Sequence, residues 1–322
     1  MKNELYQKEI AIDFYENRYE QGYMDEWPVE KKQRVFEILR SLPLPETGEA
    51  LDYGCGNGVF TDLLRQALPK WKIYGSDISQ NAINNAKLRF PECTFFVSDN
   101  DLKSDLKFDF LFSHHVLEHV FDIEKAMSEI NDYLKPQSHI MHILPCGNSD
   151  SFEYQLCQLR ADGFNPDMEN RFFFEDEGHV RRLTTQRISE LVKVHGFELE
   201  KAFYSNQYHG AIKWITQSSA TFIKNFANPE MGKDAASKRR LAQLRNKFLF
   251  LSYLQLPYAL YKDTKAIKNK SPKHYLVQLA FLIPSIISYP VHAYINSKAK
   301  AEWEANNQSQ NGSEMYLFFT RK

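Results

Sequence analysis

The chain has 322 residues, of which 43% are hydrophobic and 25% are charged, and its formal net charge at pH 7 is -1. This is an ordinary globular balance, and the length suffices for one large domain or two smaller ones. The first ten residues lack the uninterrupted apolar core of a secretory signal. The four cysteines form no CxxC pair and stand at no zinc-ligand spacing, which predicts reduced thiols in a cytoplasmic protein without a metal site.

The N-terminal segment is predicted to be helical over residues 1–40, because its apolar residues recur at helical spacings between charged ones. Pro43 and Pro45 end this helical run and form a linker. We therefore assign residues 1–45 to an N-terminal helical cap.

Short apolar segments alternate with amphipathic ones from about residue 49 to residue 144. The segments ALDYG, KIYGSD, TFFVSD, FDFLFS and HIMHIL are predicted strands. Ser79 and Asp122 are expected to cap two helices, and the second helix should run to Leu134 and stop at Pro136. FELEKAFY and EMYLFFTRK supply a sixth and a last strand. Strands alternating with helices predict an α/β fold whose parallel sheet is covered on both faces.

A glycine-rich turn joins the first predicted strand to a helix, in the sequence LDYGCGNG at positions 51–58. Glycine lets the backbone adopt positive φ and approach a ligand closely. The dinucleotide pattern GxGxxG would need its third glycine at Val59 or at Thr61, so it does not fit. The observed pattern is DxGxGxG, with Asp52 two residues before the first glycine.

Further polar residues follow the next predicted strands. Asp77 ends the second strand, and a carboxylate there can accept hydrogen bonds from both hydroxyls of a ribose. Asp99 follows the third strand, while Ser113 and His114 follow the fourth. Ligands of such sheets bind outside the carboxyl ends of the strands, where these residues are expected to meet.

Three segments resemble class I S-adenosylmethionine-dependent methyltransferases. DxGxGxG resembles their first motif, and FDFLFSHHVLEHV and GHVRRLTTQRISELVKVHGFE resemble the subgroup that includes ubiquinone-biosynthesis O-methyltransferases and many small-molecule and polysaccharide-locus methyltransferases. The resemblance covers roughly residues 46–204 and the last strand. It implies a Rossmann-like, doubly wound, seven-stranded sheet, mostly parallel with an antiparallel last strand.

The same resemblance implies S-adenosylmethionine as the cofactor. Asp52 would lie near its methionine amino end, Asp77 on the ribose and Asp99 on the adenine amino group, to which a carboxylate is a suitable acceptor. In related enzymes N-terminal aromatic segments fold over the cofactor, which is one expectation for Tyr15 and Tyr19 beside Arg18; packing between helices is the other. The residues predicted to bind the cofactor are Asp52, Gly54, Cys55, Gly56, Gly58, Asp77, Ile78, Asp99, Asn100, Ser113 and His114.

Histidines are the predicted catalytic residues, because a hydroxyl acceptor would benefit from a base that titrates near neutral pH. The candidates are His115, His119 and His179, with His115 as the first choice. A carboxylate or amine acceptor would need no base. Residues 115–119 also match the HxxEH pattern of inverted zinc proteases, but this stretch starts at a predicted strand end, so we favour polar residues that line the cleft.

Two long segments lie outside the predicted sheet. Residues 145–183 are aromatic, charged and aperiodic, which is typical of a functional loop or lid. Residues 205–311 form a largely helical insertion between the cofactor domain, 46–204, and its last part, 312–322. This insertion carries fifteen lysines and arginines against five acidic residues. The excess indicates either an anionic partner or docking on the acidic remainder of the same molecule.

The insertion contains two apolar stretches, FLFLSYLQLPYALY and YLVQLAFLIPSIISYPVHAY, on either side of the lysine-rich KDTKAIKNKSPK. The second stretch approaches bilayer-spanning length, but polar residues and two prolines interrupt it, which disfavours a span. Two hypotheses stay open. The segment is either a substrate lid buried on its own domain or a helical hairpin that lies on an anionic membrane surface. The second hypothesis would place the protein peripherally at the inner face of the membrane.

The sequence therefore predicts an enzyme that methylates a small or lipid-linked acceptor at oxygen. One alternative is nucleic-acid methylation, which the basic insertion invites. The [DN]PP[YFW] motif of amino-methylating DNA enzymes is missing, however, and the comparable position has LPCG. The other alternative is a non-catalytic module that binds S-adenosylmethionine for regulation, because a fold does not fix a function. The oligomeric state stays open.

Overall fold

The structure is a computed structural model and describes residues 14–19, 27–98 and 106–322. The chain divides into two compact units that do not follow chain order. The first unit comprises Met1–Pro145, Thr185–Ala202 and Tyr316–Lys322, and the second comprises Cys146–Thr184 and Phe203–Met315. The two long segments that the sequence leaves outside the sheet therefore belong to the same unit.

The described residues form helices and strands with the following bounds. The helices are α1 (14–19), α2 (Val29–Ser41), α3 (Val59–Ala67), α4 (Gln80–Arg89), α5 (Ile123–Asp132), α6 (Phe152–Leu159), α7 (Thr185–Lys193), α8 (Tyr208–Thr216), α9 (Ala220–Phe226), α10 (Ala235–Ala266) and α11 (Pro272–Asn306). The strands are β1 (Glu49–Tyr53), β2 (Lys72–Asp77), β3 (Thr94–Val97), β4 (Phe108–His114), β5 (Leu134–Pro145), β6 (Phe164–Asn165), β7 (Arg171–Phe172), β8 (Phe197–Ser205) and β9 (Glu314–Arg321).

Seven strands form one sheet in the order β3-β2-β1-β4-β5-β9-β8. Strands β1 to β5 pair in parallel, with Leu51 of β1 beside Tyr74 of β2 and Leu111 of β4. Strand β9 runs the other way, since the amide after its carboxyl end, Lys322 N, donates to Gly196 O just before β8. The predicted Rossmann-like sheet, mostly parallel with an antiparallel last strand, is confirmed.

The centre of the sheet is apolar on both faces, as expected for strands covered by helices on each side. Phe110, Leu111 and Phe112 of β4 are fully buried. The predicted helix caps are present, since Ser79 Oγ accepts from Ala82 N and Asp122 Oδ1 accepts from Lys125 N.

One boundary differs from the sequence prediction. Helix α5 ends at Asp132, and Leu134 already pairs with Phe108 as the first residue of β5. The pairing of β4 with β5 shifts register after this pair, and Pro136 lies within the irregular part. A proline removes no ladder hydrogen bond there, so the strand tolerates the residue that was expected to stop a helix.

The second unit has its own apolar core, formed where α8, α9 and the first half of α10 pack together. Its fully buried members include Ile215, Phe226, Leu241 and Phe248. A buried arginine, Arg182, completes this unit; it donates to the carboxylates of Glu153 and Glu175 and to the Cys146 carbonyl. Because a buried guanidinium needs such partners, this network fixes the loop before α7 to α6.

Candidate cofactor and active site

The turn after β1 is built on three glycines with left-handed backbones. Gly54, Gly56 and Gly58 have φ values of +75°, +51° and +79°. A Cβ at Gly54 would lie 2.4 Å from Val116 Cγ2, and one at Gly56 would lie 2.7 Å from the Tyr19 hydroxyl. Positive φ and close neighbours both exclude side chains here, so the glycines of the predicted motif are required by the backbone path.

Asp77 holds this turn at the carboxyl end of β2. Its Oδ2 accepts from Gly56 N at 2.9 Å, and its Oδ1 accepts from Ser79 N at 2.9 Å. Ser76 O accepts from both Gly54 N and Cys55 N at 2.8 Å. Burial raises the pKa of the Asp77 carboxyl, although these amide donors oppose the shift. The predicted ribose-binding carboxylate is therefore also the acceptor that ties the glycine turn to β2.

Asp52 lies beneath the turn and is buried. Its Oδ2 accepts from the Thr61 hydroxyl of α3 at 2.6 Å. Burial raises its pKa to about 7, the Thr61 hydrogen bond lowers it and the charge of Asp77 adds to the rise. The neighbouring Cys55 thiol is also buried, which raises its pKa. A cation bound close to Asp52 would favour its charged form and lower the pKa again.

Helix α1 belongs to this site. Glu16 accepts from the backbone amides of Gln80 and Asn81 at the start of α4, at 2.6 and 3.2 Å. Tyr19 approaches Gly56, and the Tyr15 ring lies edge-on to the His119 ring at a centroid distance of 5.7 Å. Helix α1 thus contacts both the glycine turn and the start of α4. Arg18 instead packs over the Phe14 ring of its own helix.

The remaining predicted cofactor residues have mixed surroundings. Asp99 and Asn100 lie outside the described residues. Ile78 follows Asp77 directly and is half-buried. The Ser113 hydroxyl is buried and forms a 2.7 Å hydrogen bond with His142 Nδ1. The Ser113 hydroxyl is therefore already hydrogen-bonded to the neighbouring strand β5.

The two histidines at the end of β4, His114 in the strand and His115 directly after it, differ in their surroundings. The His114 ring stacks on Phe60 at 3.9 Å and meets the edge of Trp27 at 4.6 Å, so it is packed on both sides. His115 has a φ of +55°, which is strained for a residue with a side chain. Such strain persists only where the surroundings fix the residue, and it is concentrated at functional sites.

His115 forms the centre of a chain of three side chains. Its Nδ1 lies 3.0 Å from Glu118 Oε1, and its Nε2 lies 3.0 Å from Lys31 Nζ. Glu118 is 1% exposed, whereas His115 is partly open to solvent. Lys31 comes from α2 and also lies over the Trp27 ring. The sequence does not identify Lys31 and Glu16 as site residues. The one feature that could have indicated them is that both lie in the predicted N-terminal helical cap.

The structure brings His115 and His119 next to the glycine turn, because Val116 between them contacts Gly54. His119 ends a short 3-10 helix, Leu117–His119. His179 belongs to the second unit, where its Nδ1 lies 3.3 Å from Glu175 Oε1. The predicted catalytic histidines are thus divided between the two units.

Comparisons with known proteins show which family the chain belongs to. Residues 23–202 match the family described as a methyltransferase domain. The chain therefore belongs to this family, among the class I S-adenosylmethionine-dependent methyltransferases.

Among similar curated proteins are trans-aconitate 2-methyltransferases. The protein from Variovorax paradoxus is 31% identical over 109 residues, which are 33% of this chain and 42% of that protein. The one from Escherichia coli O157:H7 is 28% identical over 117 residues, or 36% and 46% of the two chains. The chain thus matches less than half the length of these relatives.

Two solved structures are similar at lower identity. A TehB-like S-adenosylmethionine-dependent methyltransferase from Corynebacterium glutamicum is 20% identical, with 61% of this chain and 86% of that chain covered and a TM-score of 0.38. An S-adenosylmethionine-dependent methyltransferase from Aquifex aeolicus is 14% identical, with coverages of 56% and 93% and a TM-score of 0.39.

The residues at the turn suit S-adenosylmethionine. This cofactor carries a positive sulfonium, ribose hydroxyl donors and no phosphate. Asp52, Asp77 and Glu16 supply carboxylates around the turn, which favour a cation and accept from hydroxyl groups but would repel a pyrophosphate. Asp77 would hold the ribose, and the backbone of the glycine turn would lie against the cofactor.

The first prediction concerns Asp77. We expect Asp77→Ala to weaken affinity for S-adenosylmethionine by about 1–3 kcal/mol, because a buried acceptor is lost. Calorimetric titration measures this change. Asp109→Asn serves as the control, since Asp109 is the second residue of β4, at the end of the strand away from the turn, and it pairs with Lys135. Equal affinities of the wild type and Asp77→Ala would contradict the assignment.

A second prediction follows from the raised pKa of Asp52. Binding a cation favours its charged form, so affinity for S-adenosylmethionine should rise from pH 6 to pH 8, through the pKa of about 7. The measurement is the dissociation constant at several pH values. Asp52→Asn should remove this part of the pH dependence, and Thr61→Val should move it to higher pH. Identical pH profiles in the wild type and Asp52→Asn would rule out a role for this carboxyl.

Proposed function

We propose that the chain transfers a methyl group from S-adenosylmethionine to an oxygen atom of a small or lipid-linked acceptor. The observation that carries this proposal is the chain Glu118–His115–Lys31 beside the glycine turn. A buried carboxylate, an imidazole and an ammonium group in this order can move a proton and hold a negative oxygen.

The hydrogen bond between Lys31 and His115 favours one protonation state of this chain. An ammonium group can only donate, so Lys31 donates to His115 Nε2, which leaves the imidazole neutral with its proton on Nδ1. Glu118 Oε1 lies 3.0 Å from this nitrogen, and its negative charge favours a proton there. The arrangement follows the general logic of a base that a buried carboxylate orients.

An acceptor hydroxyl that takes the place of Lys31 would meet the lone pair of His115 Nε2. Bound S-adenosylmethionine supplies a methyl group that needs no further activation. His115 Nε2 would take the proton released from the O–H bond, and S-adenosylmethionine, held at the glycine turn, would supply the methyl group to the oxygen. Glu118 stabilises the resulting imidazolium, and the displaced Lys31 can stabilise negative charge on the oxygen.

A carboxylate acceptor would use the same residues differently. It needs no base, so Lys31 would hold the anionic oxygen while His115 stays beside Glu118. The curated relatives are named for trans-aconitate, which is a carboxylate, and this supports an oxygen acceptor for this chain. His119, which packs against Tyr15, would form part of the wall of the site.

The test uses S-adenosylmethionine with a labelled methyl group, incubated with the protein and with aqueous and lipid extracts of the source cells, and with trans-aconitate. Label on oxygen supports the proposal, and hydrolysis by alkali then separates a methyl ester from an ether. Label on nitrogen or carbon in the main product would contradict it.

A third prediction separates the residue roles. For a hydroxyl acceptor, His115→Gln should lower kcat by about 10²–10⁴-fold while the affinity for S-adenosylmethionine stays unchanged. For a carboxylate acceptor, Lys31→Met should raise KM and His115→Gln should have a small effect. His195→Gln, a change in the loop after α7, is the matched control. A wild-type rate in both His115→Gln and Lys31→Met would refute the assigned site.

A further inference from the structure

The outer half of the long helical hairpin α10–α11 has few buried residues. Helix α10 is anchored in the core of the second unit by Leu241, Leu244 and Phe248. Beyond Phe248, only Gln255 of this helix is buried. In α11, which has 35 residues, only Ser285, Ser288 and Ile295 are buried. The outer half of the hairpin therefore extends from the core without an apolar interior of its own.

The side chains of this outer half are arranged with polar groups inside and apolar groups outside. Ser285 and Ser288 face inward, while Ile283 and Ile287, one turn apart, are 69% and 74% exposed. Gln278, also turned inward, donates across the hairpin to Thr264 O. A helix of a water-soluble protein has the opposite pattern, because burying apolar side chains is what stabilises it.

The exposed apolar residues of α11 lie on one side of the helix. On α11 they recur three, four, seven and eight residues apart, which is the spacing of one side of a helix. On α10 the exposed apolar residues also lie beyond Phe248. The members of this apolar face are Phe250, Tyr253, Leu254, Leu256, Tyr275, Leu276, Leu279, Leu282, Ile283, Ile286, Ile287, Tyr289 and Tyr294.

Composition supports a lipid environment for α11. Among the described residues, Pro272–Asn306 is the helix that is long and apolar enough to cross a membrane, and only 11% of its most apolar window is buried. A core helix of a soluble protein passes the same test but is mostly buried. Small and hydroxylated residues at a helix–helix contact, such as Ser285 and Ser288, are typical of helices that pack within lipid.

The charge at the tip of the hairpin indicates which membrane surface would bind it. The stretch 262–273, which covers the end of α10, the connecting loop and the start of α11, contains five lysines and a single acidic residue, Asp263. Four of these lysines are exposed. Such a cluster is attracted to anionic lipid headgroups, with a contribution of about 1 kcal/mol for each lysine near the surface.

The geometry favours a hairpin that lies in the surface over one that crosses the bilayer. The apolar stretch of α10, 248–261, is 14 residues long. At a rise of about 1.5 Å per residue it spans about 21 Å, less than the roughly 30 Å of the hydrocarbon core. A crossing hairpin would also have to carry its lysine-rich tip through the bilayer.

We propose that the α10–α11 hairpin docks the protein on an anionic membrane, with its apolar face at the boundary between headgroups and acyl chains and the lysines of its tip on the headgroups. The hairpin is then a membrane-docking surface rather than a lid buried on its own domain. This proposal does not depend on the acceptor of the methyl group, and its test needs no catalytic activity.

The test is sedimentation of the full chain with phosphatidylcholine vesicles, with and without phosphatidylglycerol. We expect binding to the phosphatidylglycerol vesicles that weakens with salt. Ile283→Glu with Ile287→Glu should lower binding by more than about tenfold, because two apolar side chains no longer enter the lipid. Leu88→Glu, at an exposed apolar residue of α4, is the matched control and should bind like the wild type.

Two double variants that each remove two lysine charges test the lysine-rich tip. Lys265→Gln with Lys268→Gln should lower binding about 30-fold, whereas Lys298→Gln with Lys300→Gln, the same change at the far end of α11, should have a much smaller effect. Circular dichroism and affinity for S-adenosylmethionine show that each variant is folded. A wild-type chain that stays in the supernatant would overturn the proposal. So would a dimer in solution that the Ile283→Glu, Ile287→Glu variant disrupts, since a second copy would then cover this face.

Discussion

The hydrogen bond from Gly56 N to the Asp77 carboxylate is the contact on which the site of the first unit depends. Strand β1 must reverse at its carboxyl end, and three left-handed glycines make that reversal possible. The bond then fixes the glycine turn to the end of β2, where Ser76 O accepts hydrogen bonds from two further amides of the turn. Because Asp77 is buried, the bond is screened little by water, and the turn has one defined position.

The position of the glycine turn also determines where the loop after β4, and with it His115, can lie. Val116 lies against Gly54, so the loop after β4 can approach the turn only because position 54 has no side chain. That close approach accompanies the left-handed conformation of His115 and places its ring between Glu118 and Lys31. The glycine turn, which would lie against the cofactor, and the loop that carries His115 and Glu118 are thus in direct contact.

The sequence predicts the sheet well because its signals are local. Apolar runs ending in glycine or aspartate identify the strands, and Ser79 and Asp122 identify two helix starts. The end of α5 is predicted less well, since Pro136 is a helix stop in isolation but lies in an irregular part of β5, where pairing across the sheet decides the outcome. Tertiary contacts override local preference at such boundaries.

The site is predictable only in part for the same reason. The glycines and Asp77 belong to one short motif and the end of the next strand, whereas Lys31 and Glu16 reach the site from the N-terminal segment, 84 and 64 residues away from the partners they contact. No local pattern distinguishes them from other charged helix residues. Likewise, the apolar stretches of the insertion are visible in the sequence, but only the structure shows that their serines face inward and their isoleucines face outward.

The central claim is that the turn at positions 54–58 and the carboxylates around it bind an adenosyl sulfonium. Calorimetric titration of the purified wild-type protein with S-adenosylmethionine, with its demethylated product and with NAD⁺ tests this claim most directly. The account predicts saturable one-to-one binding of the first two ligands and no competition from NAD⁺, whose pyrophosphate the carboxylates around the turn would repel. Absence of binding by both adenosyl ligands, or displacement of either one by NAD⁺, would contradict it.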